Sequence, residues 1–313
     1  MDPIAFSIPL FGYGPLDIRW YGIMMAASML IGAFIAAKLL KSIGRDGDLV
    51  WDALFWIILF GVIGARVVYV LTNLSAYFGP DTNPWHIFAV WHGGLSFHGG
   101  IIAGLIATYF YFNSRSIPFI EVMDAFAPGV SLGVILVRFG NFMNGDILAY
   151  KWTGPWAMNF PYDYYHLNEY GLSSEIIPRH PAEIYGMVVG VFCLVLSVVL
   201  WNETYRTKRL PIGTAYLGFI LCYSLVRSAI EEPFRAVHLP WEVVSPSAAG
   251  YGLFTTAQLA SAVIIILALW GFTQLRVWER RRMAASKQSV PPRAGVSRQA
   301  RRAAERGDRK RSK

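Results

Sequence analysis

The sequence is short of charge. Only 15% of its 313 residues are Asp, Glu, Lys or Arg, against about 25% in soluble domains. That scarcity excludes an ordinary soluble globular class. Cysteine is scarce too: Cys193 and Cys222 both sit inside apolar runs. No disulfide framework follows from two such residues. An apolar setting raises a thiol pKa, which argues against thiol catalysis by the chain itself. There is no Gly-rich phosphate loop, so nucleotide use is not expected. No closely spaced His, Cys and carboxylate set suggests a metal, and no cofactor is implied. The N-terminus lacks a basic segment before its first apolar run, so no cleavable signal peptide is expected. No long polar linker divides the apolar part, which favours one bundle.

What is present is apolar length. Hydrophobic residues make up 55% of the chain. Several runs reach the ~20 residues that cross a bilayer core. Only helices or closed barrels satisfy the backbone in lipid, and these runs are too long for barrel strands. The expected fold is all-α, a polytopic membrane helix bundle of about seven spans. They run near 20–41, 50–74, 94–113, 120–144, 181–201, 212–231 and 254–275. Residues 1–275 form the expected bundle.

The net charge of +8 is unevenly placed. From Arg276 onward the chain holds 14 Lys and Arg against 3 Asp and Glu. Residues 276–313 read as a disordered basic tail held near anionic headgroups. Nucleic-acid binding by that tail is the minor reading, and no nucleic-acid partner is expected. Lys38, Lys41, Arg45, Arg115, Arg206, Lys208 and Arg209 fall in connections on the tail's side. The positive-inside rule then puts the N-terminus outside and the C-terminus in the cytoplasm. The long connection 147–179 carries Trp152, Trp156, Tyr162, Tyr164 and Tyr165. It reads as an extracytoplasmic cap at the interface, where Trp and Tyr are favoured.

With this orientation, polar residues from six spans meet near the outer leaflet. Tyr21 opens the first span and Arg66 lies in the second. His98 follows Gly93-Gly94-Leu95-Ser96-Phe97. Arg138, Asn141 and Asn144 share one face at i, i+3 spacing. His180, Glu183 and Tyr185 open the fifth span. Tyr223, Arg227 and Glu231 share a face of the sixth, and Arg227 can pair with Glu231. Charges inside a span are expensive and mark partners, cavities or polar substrates. Singly, each has a bland reading: an interfacial histidine, a structural ion pair, glycines for helix packing. Together, buried arginines suit a phosphate or carboxylate, and a histidine suits proton transfer. No nucleophile is evident.

The residues then resemble a known family. Trp20-Tyr21-Gly22, Gly64-Ala65-Arg66, the glycine-rich segment ending His98-Gly99-Gly100, Arg138-Phe139-Gly140-Asn141-Phe142-Met143-Asn144-Gly145, His180-Pro181 with Tyr185, and Tyr223 with Arg227 and Glu231 look like bacterial prolipoprotein diacylglyceryl transferase. The resemblance implies transfer of a diacylglyceryl group from phosphatidylglycerol to the lipobox cysteine of a preprolipoprotein, in the bacterial inner membrane. Glycerol 1-phosphate leaves and a thioether forms. By this resemblance Arg138 binds the lipid phosphate, Arg227 stabilises charge on the leaving group, and His98 helps deprotonate the thiol. Tyr21, Asn141, Asn144, Tyr223, Arg66 and Asp146 belong to the substrate-binding set, and Glu231 holds Arg227. Val137, Asp146, Ala149, Glu183 and Gly186 depart from the family pattern. Two other classes remain beside the enzyme. One is a diverged relative that binds lipid or lipoprotein without transfer. The other is a transporter, which predicts broken helices near mid-membrane and internal repeats. Oligomeric state is not legible.

Overall fold

A β-hairpin, not foreseen in the sequence reading, precedes the helices. The computed structural model describes residues 2–10, 14–78, 83–145, 147, 149–160, 178–236 and 255–288. Strands β1 (Ile4–Leu10) and β2 (Gly14–Arg19) pair antiparallel. The alternation Phe6-Ser7-Ile8 and Leu16-Asp17-Ile18 is the two-residue period that such a ribbon requires.

Helices follow at each expected interval: α1 Trp20–Ser42, α2 Leu49–Thr72, a single turn α3 Ser75–Phe78, α4 Phe97–Asn113, α5 Phe119–Asn144, α6 Ala182–Trp201, α7 Thr214–Ile230 and α8 Thr256–Gln288. Five of the stretches they cover are long and apolar enough to cross a membrane; α4 and α7 have 17 residues each and fall outside that group. The chain is a multi-pass helical membrane protein. Residues Met1–Trp270 form one compact unit and Gly271–Lys313 a second. Helix α8 continues past residue 275, where the sequence reading expects a tail. Ala284, Ala285 and the arginines around them are strong helix formers, so composition alone does not stop the helix there.

Helix α5 is the centre of the bundle, packed by α1, α6 and α7. Small residues let the backbones meet, as membrane interfaces favour. A Cβ on Gly129 would stand 2.7 Å from the Gly32 carbonyl oxygen. Tyr21 lies against Gly140 at the other end of the same interface, so α1 runs antiparallel to α5. Helix α6 is antiparallel as well, with Gly186 at Arg138 and Ser197 at Ser131. Helix α2 packs on α4 in the same sense, with Gly61 beside Gly100 and Gly104 beside Ile57.

These directions bring the start of α1, the end of α5, the start of α6 and the end of α7 to one level. A second polar cluster, not foreseen, lies at the opposite end of α5. Arg45 grips Glu121 with two bonds of 2.8 and 3.0 Å. Asp124 is fully buried. It accepts from the backbone N–H groups of Gly213 (2.6 Å) and Tyr216 (2.7 Å), and from the Tyr205 hydroxyl (3.0 Å). A carboxylate from α5 thus caps the N-terminus of α7, where orphan N–H groups and the helix dipole favour negative charge. Asp124 and Arg138 are about 21 Å apart at 1.5 Å rise per residue, so the two clusters belong to different depths.

Candidate functional site

The site begins with how α5 ends. Gly145 follows Asn144 in a left-handed conformation (φ 67°) and its N–H bonds the Asn141 carbonyl at 2.7 Å. Glycine adopts that conformation without Cβ strain, which stops the helix there. The last turns present Arg138, Asn141 and Asn144. Arg138 donates through Nη2 to Glu231 Oε1 at 2.6 Å and through Nη1 to Asn141 Oδ1 at 3.4 Å. Glu231 is fully buried and Arg138 partly buried. The charged hydrogen bond offsets part of the desolvation that both groups suffer.

Arg227, one helical turn before Glu231, has two carboxylates. It stands 3.9 Å from Glu231 Oε2, the pairing the sequence suggests, and 2.7 Å from Glu232 Oε2, which the sequence reading missed. Arg235 joins from the far side, 3.3 Å from Glu232 and 3.9 Å from Glu231. The Thr255 hydroxyl donates to Glu232 Oε1 at 3.4 Å. Three arginines therefore share two buried carboxylates. The signal was in the run Glu231-Glu232-Pro233-Phe234-Arg235, a dense group of charges just past a span end. Tyr223 lies beneath the Arg227 guanidinium, 5.9 Å from its ring centre.

Glycines open the space these groups occupy. A Cβ on Gly186 would come within 2.6 Å of Arg138 Nε and 2.8 Å of Glu231 Oε2. Gly186, one of the family departures, leaves room for the ion pair in this chain. A Cβ on Gly140 would meet Tyr21 Cα at 3.0 Å, so the bare backbone lets Tyr21 settle beside the last turns of α5. Tyr21, Arg138, Asn141, Asn144, Tyr223, Arg227 and Glu231 thus gather where α1, α5 and α7 end or begin.

A second layer covers the start of α6. Tyr185 accepts from Trp156 Nε1 at 2.8 Å and bonds His180 Nδ1 at 3.0 Å. Trp152 stacks on His180 at 4.7 Å and Phe234 closes the other side at 4.5 Å. Burial pushes the His180 imidazole pKa below its ordinary value, since desolvation disfavours the charged ring. Arg179 donates to the Ala149 carbonyl at 2.8 Å, and Tyr150 N–H to Phe234 O at 3.0 Å. The near part of the expected cap is therefore stitched to the ends of α6 and α7. Its residues 161–177, with Tyr162, Tyr164 and Tyr165, lie outside the described residues, as does Asp146.

Arg66 and His98 stand apart from the ion-pair network. Arg66 is buried, and its guanidinium donates to four backbone carbonyls, those of His86, Ile87, Gly93 and Gly94. It clamps the segment that leads into α4. Ser96 then caps α4 by accepting from Gly99 N–H at 3.4 Å. His98 sits exposed in the first turn of α4, edge-on to Phe97. Tyr109, near the other end of α4, meets Phe119 at the start of α5 at 5.6 Å. The helices are therefore antiparallel, and His98 lies toward the same end as Arg138. Among the described residues no hydrogen bond or ion pair joins the two.

Comparison with known proteins identifies the family. The family model described as prolipoprotein diacylglyceryl transferase matches residues 8–274. A Thermus thermophilus protein named phosphatidylglycerol–prolipoprotein diacylglyceryl transferase is 36% identical over 277 residues, covering 84% of this chain and 96% of the relative. Proteins of the same name from Caldanaerobacter subterraneus (32% over 270 residues, 86% and 94% covered) and Dechloromonas aromatica (37% over 240 residues, 75% and 82% covered) are similar too. The chain belongs to the prolipoprotein diacylglyceryl transferase family.

Proposed function

We propose that this protein transfers the diacylglyceryl group of phosphatidylglycerol to the lipobox cysteine thiol of a preprolipoprotein. Family membership supports the reaction. The observation that carries its site is the Arg138–Glu231 and Arg227–Glu232 network in the last turns of α5 and α7. Guanidinium groups held by buried carboxylates are preorganised to receive a phosphate without reorganising. Arg138 takes the lipid phosphate, with Asn141, Asn144 and Asp146 about the headgroup and Tyr21 and Tyr223 orienting the reacting carbon. Glu231 fixes Arg138 and Glu232 fixes Arg227. Arg66 serves the site indirectly, by holding the entry to α4.

In the reaction the thiol gives its proton to His98, which is exposed at the start of α4 and so open to an incoming peptide. The thiolate then attacks the terminal glyceryl carbon. A carbon–sulfur bond forms, the carbon–oxygen bond to phosphate breaks, and glycerol 1-phosphate leaves with Arg227 stabilising the charge that develops on it. The substrate supplies the nucleophile, which accounts for a chain that offers none. A binding relative without transfer requires the phosphate pocket but no proton acceptor.

The bundle crosses the bacterial inner membrane seven times, with the N-terminus and the site outside and the C-terminus in the cytoplasm. The positive charges of the 1–2, 3–4 and 5–6 connections and of the tail support that orientation. The test of function supplies phosphatidylglycerol and a lipobox peptide to the purified full chain and looks for the thioether by mass spectrometry. Product from the wild type and its loss in Arg138→Gln and His98→Gln support the reading. Phosphatidylglycerol bound without product would convert it to the binding relative, and wild-type turnover in both variants would remove the assigned roles. Reporter fusions after residues 44, 115 and 208 check the topology.

A further inference from the structure

A concave groove of about 550 Å³ runs between α2 and α4, away from the arginine network. Its floor is Ala103 and Ala107, and its walls include Trp56, Phe60 and Phe110. Trp56 and Phe60 stack at 6.0 Å along that wall. One end of the groove is polar. There Arg115 lies flat on the Tyr111 ring at 3.6 Å, and its Nη1 donates to the Tyr111 carbonyl at 3.0 Å and to Ser114 Oγ at 3.2 Å.

Arg115 differs from the arginines that carboxylates hold. Arg45 has Glu121, Arg138 has Glu231 and Arg227 has Glu232. Arg115 is exposed and makes no ion pair among the described residues. The guanidinium is therefore held in place by a ring and a carbonyl, with its charge left for a ligand. The length of the groove identifies that ligand. Ala103 to Ser114 spans about 16 Å at 1.5 Å per residue, close to half of the ~30 Å hydrocarbon core. That is the depth of one leaflet.

We propose that the α2–α4 groove is a second lipid site, which seats an acyl chain of an anionic phospholipid with its phosphate on Arg115 and Ser114. The site is separate from the one at Arg138. Its charged end, Arg115, lies about 25 Å along α4 from His98. Packing of the chain over Ala103 and Ala107 gives affinity, and the guanidinium selects anionic over zwitterionic headgroups. In the orientation proposed above, it faces the cytoplasmic leaflet.

Native mass spectrometry of the full chain in detergent tests this, with phosphatidylglycerol and phosphatidylcholine of the same acyl chains as probes. The wild type should retain two phosphatidylglycerol molecules, one at Arg138 and one in the groove, and fewer of phosphatidylcholine. Arg115→Gln should lose the groove molecule and keep the one at Arg138. Ala107→Trp, which fills the floor, should remove one bound lipid of either kind. Ile106→Trp narrows the groove from an exposed lining position and serves if the first variant does not fold. All three should keep diacylglyceryl transfer, which separates this site from the one at Arg138. A single bound phosphatidylglycerol in the wild type, or variants that bind lipid as the wild type does, means ordinary annular lipid only beside the Arg138 site and overturns the proposal.

Discussion

Arg138 Nη2 and Glu231 Oε1 lie 2.6 Å apart, although 93 residues separate them in the chain. The pair ties the end of α5 to the end of α7 and fixes the guanidinium that the proposed phosphate needs. Removing one partner of a buried pair costs about 3–5 kcal/mol, because the other charge is left behind. Glu231→Gln keeps the shape and removes the charge. It should lower the melting temperature in detergent and reduce turnover by roughly tenfold or more, about 1.4 kcal/mol at the barrier. Arg138→Lys keeps the charge but not the fork, and should not restore activity. Thermal melts and a peptide transfer assay measure both.

Glu232 is predicted to act through Arg227. Its Oε2 lies 2.7 Å from the Arg227 guanidinium and 3.3 Å from that of Arg235. Glu232→Gln should reduce kcat more than it raises KM for phosphatidylglycerol, since Arg227 is assigned to the charge that develops on the leaving group. Glu231→Gln acts on the arginine that binds the phosphate and should move KM as well. The two substitutions should not add, because Arg235 bridges both carboxylates. Steady-state kinetics of both single variants and the double variant decide this.

Gly186 makes a sharper steric prediction. A methyl group there would meet Arg138 Nε at 2.6 Å and Glu231 Oε2 at 2.8 Å. Overpacking of this kind costs about 1–3 kcal/mol. Gly186→Ala should lower both stability and turnover. Gly186→Glu should be worse in this chain, since it adds a carboxylate beside Glu231. A gain of activity in Gly186→Glu would show that the ion pair rearranges to admit it.

The helix positions and the shared helix-end level of Arg138, Asn141 and Arg227 are legible because hydropathy and helical spacing act locally. The pairings are not. Arg227 and Glu231 are four residues apart, so their pairing was readable. Arg138 and Glu231 meet only through tertiary packing, which no periodicity reports. Arg66 shows the opposite failure. An arginine within a span suggests a ligand, yet its donors are taken by backbone carbonyls that only the folded loop provides. Asp124 passed unremarked because its partners are backbone N–H groups, which leave no mark in a sequence.

Asp124 supplies a prediction about stability alone. It receives two backbone N–H groups and one hydroxyl at the entry to α7. Asp124→Asn puts an NH2 group where a donor expects an acceptor. An unsatisfied buried group costs about 1–3 kcal/mol. The variant should melt at lower temperature, while KM of the folded fraction stays unchanged, since the site lies about 21 Å away. A changed KM with an unchanged melt would contradict the capping role.

His180 predicts a pH dependence with a definite sign. Burial among Trp152, Phe234 and Tyr185 lowers its pKa below that of the unfolded chain. Between the two values the unfolded chain binds the extra proton and the folded one does not. Stability therefore rises with pH through that window. It is fully present above the ordinary histidine value of about 6.5 and lost as pH falls toward the depressed folded value. His180→Asn keeps a polar ring-side group that does not titrate. Melting temperatures of wild type and variant, followed from neutral to mildly acidic pH, should converge as the wild type loses its advantage. A wild-type curve that stays parallel to that of His180→Asn would mean that the buried ring does not couple to folding.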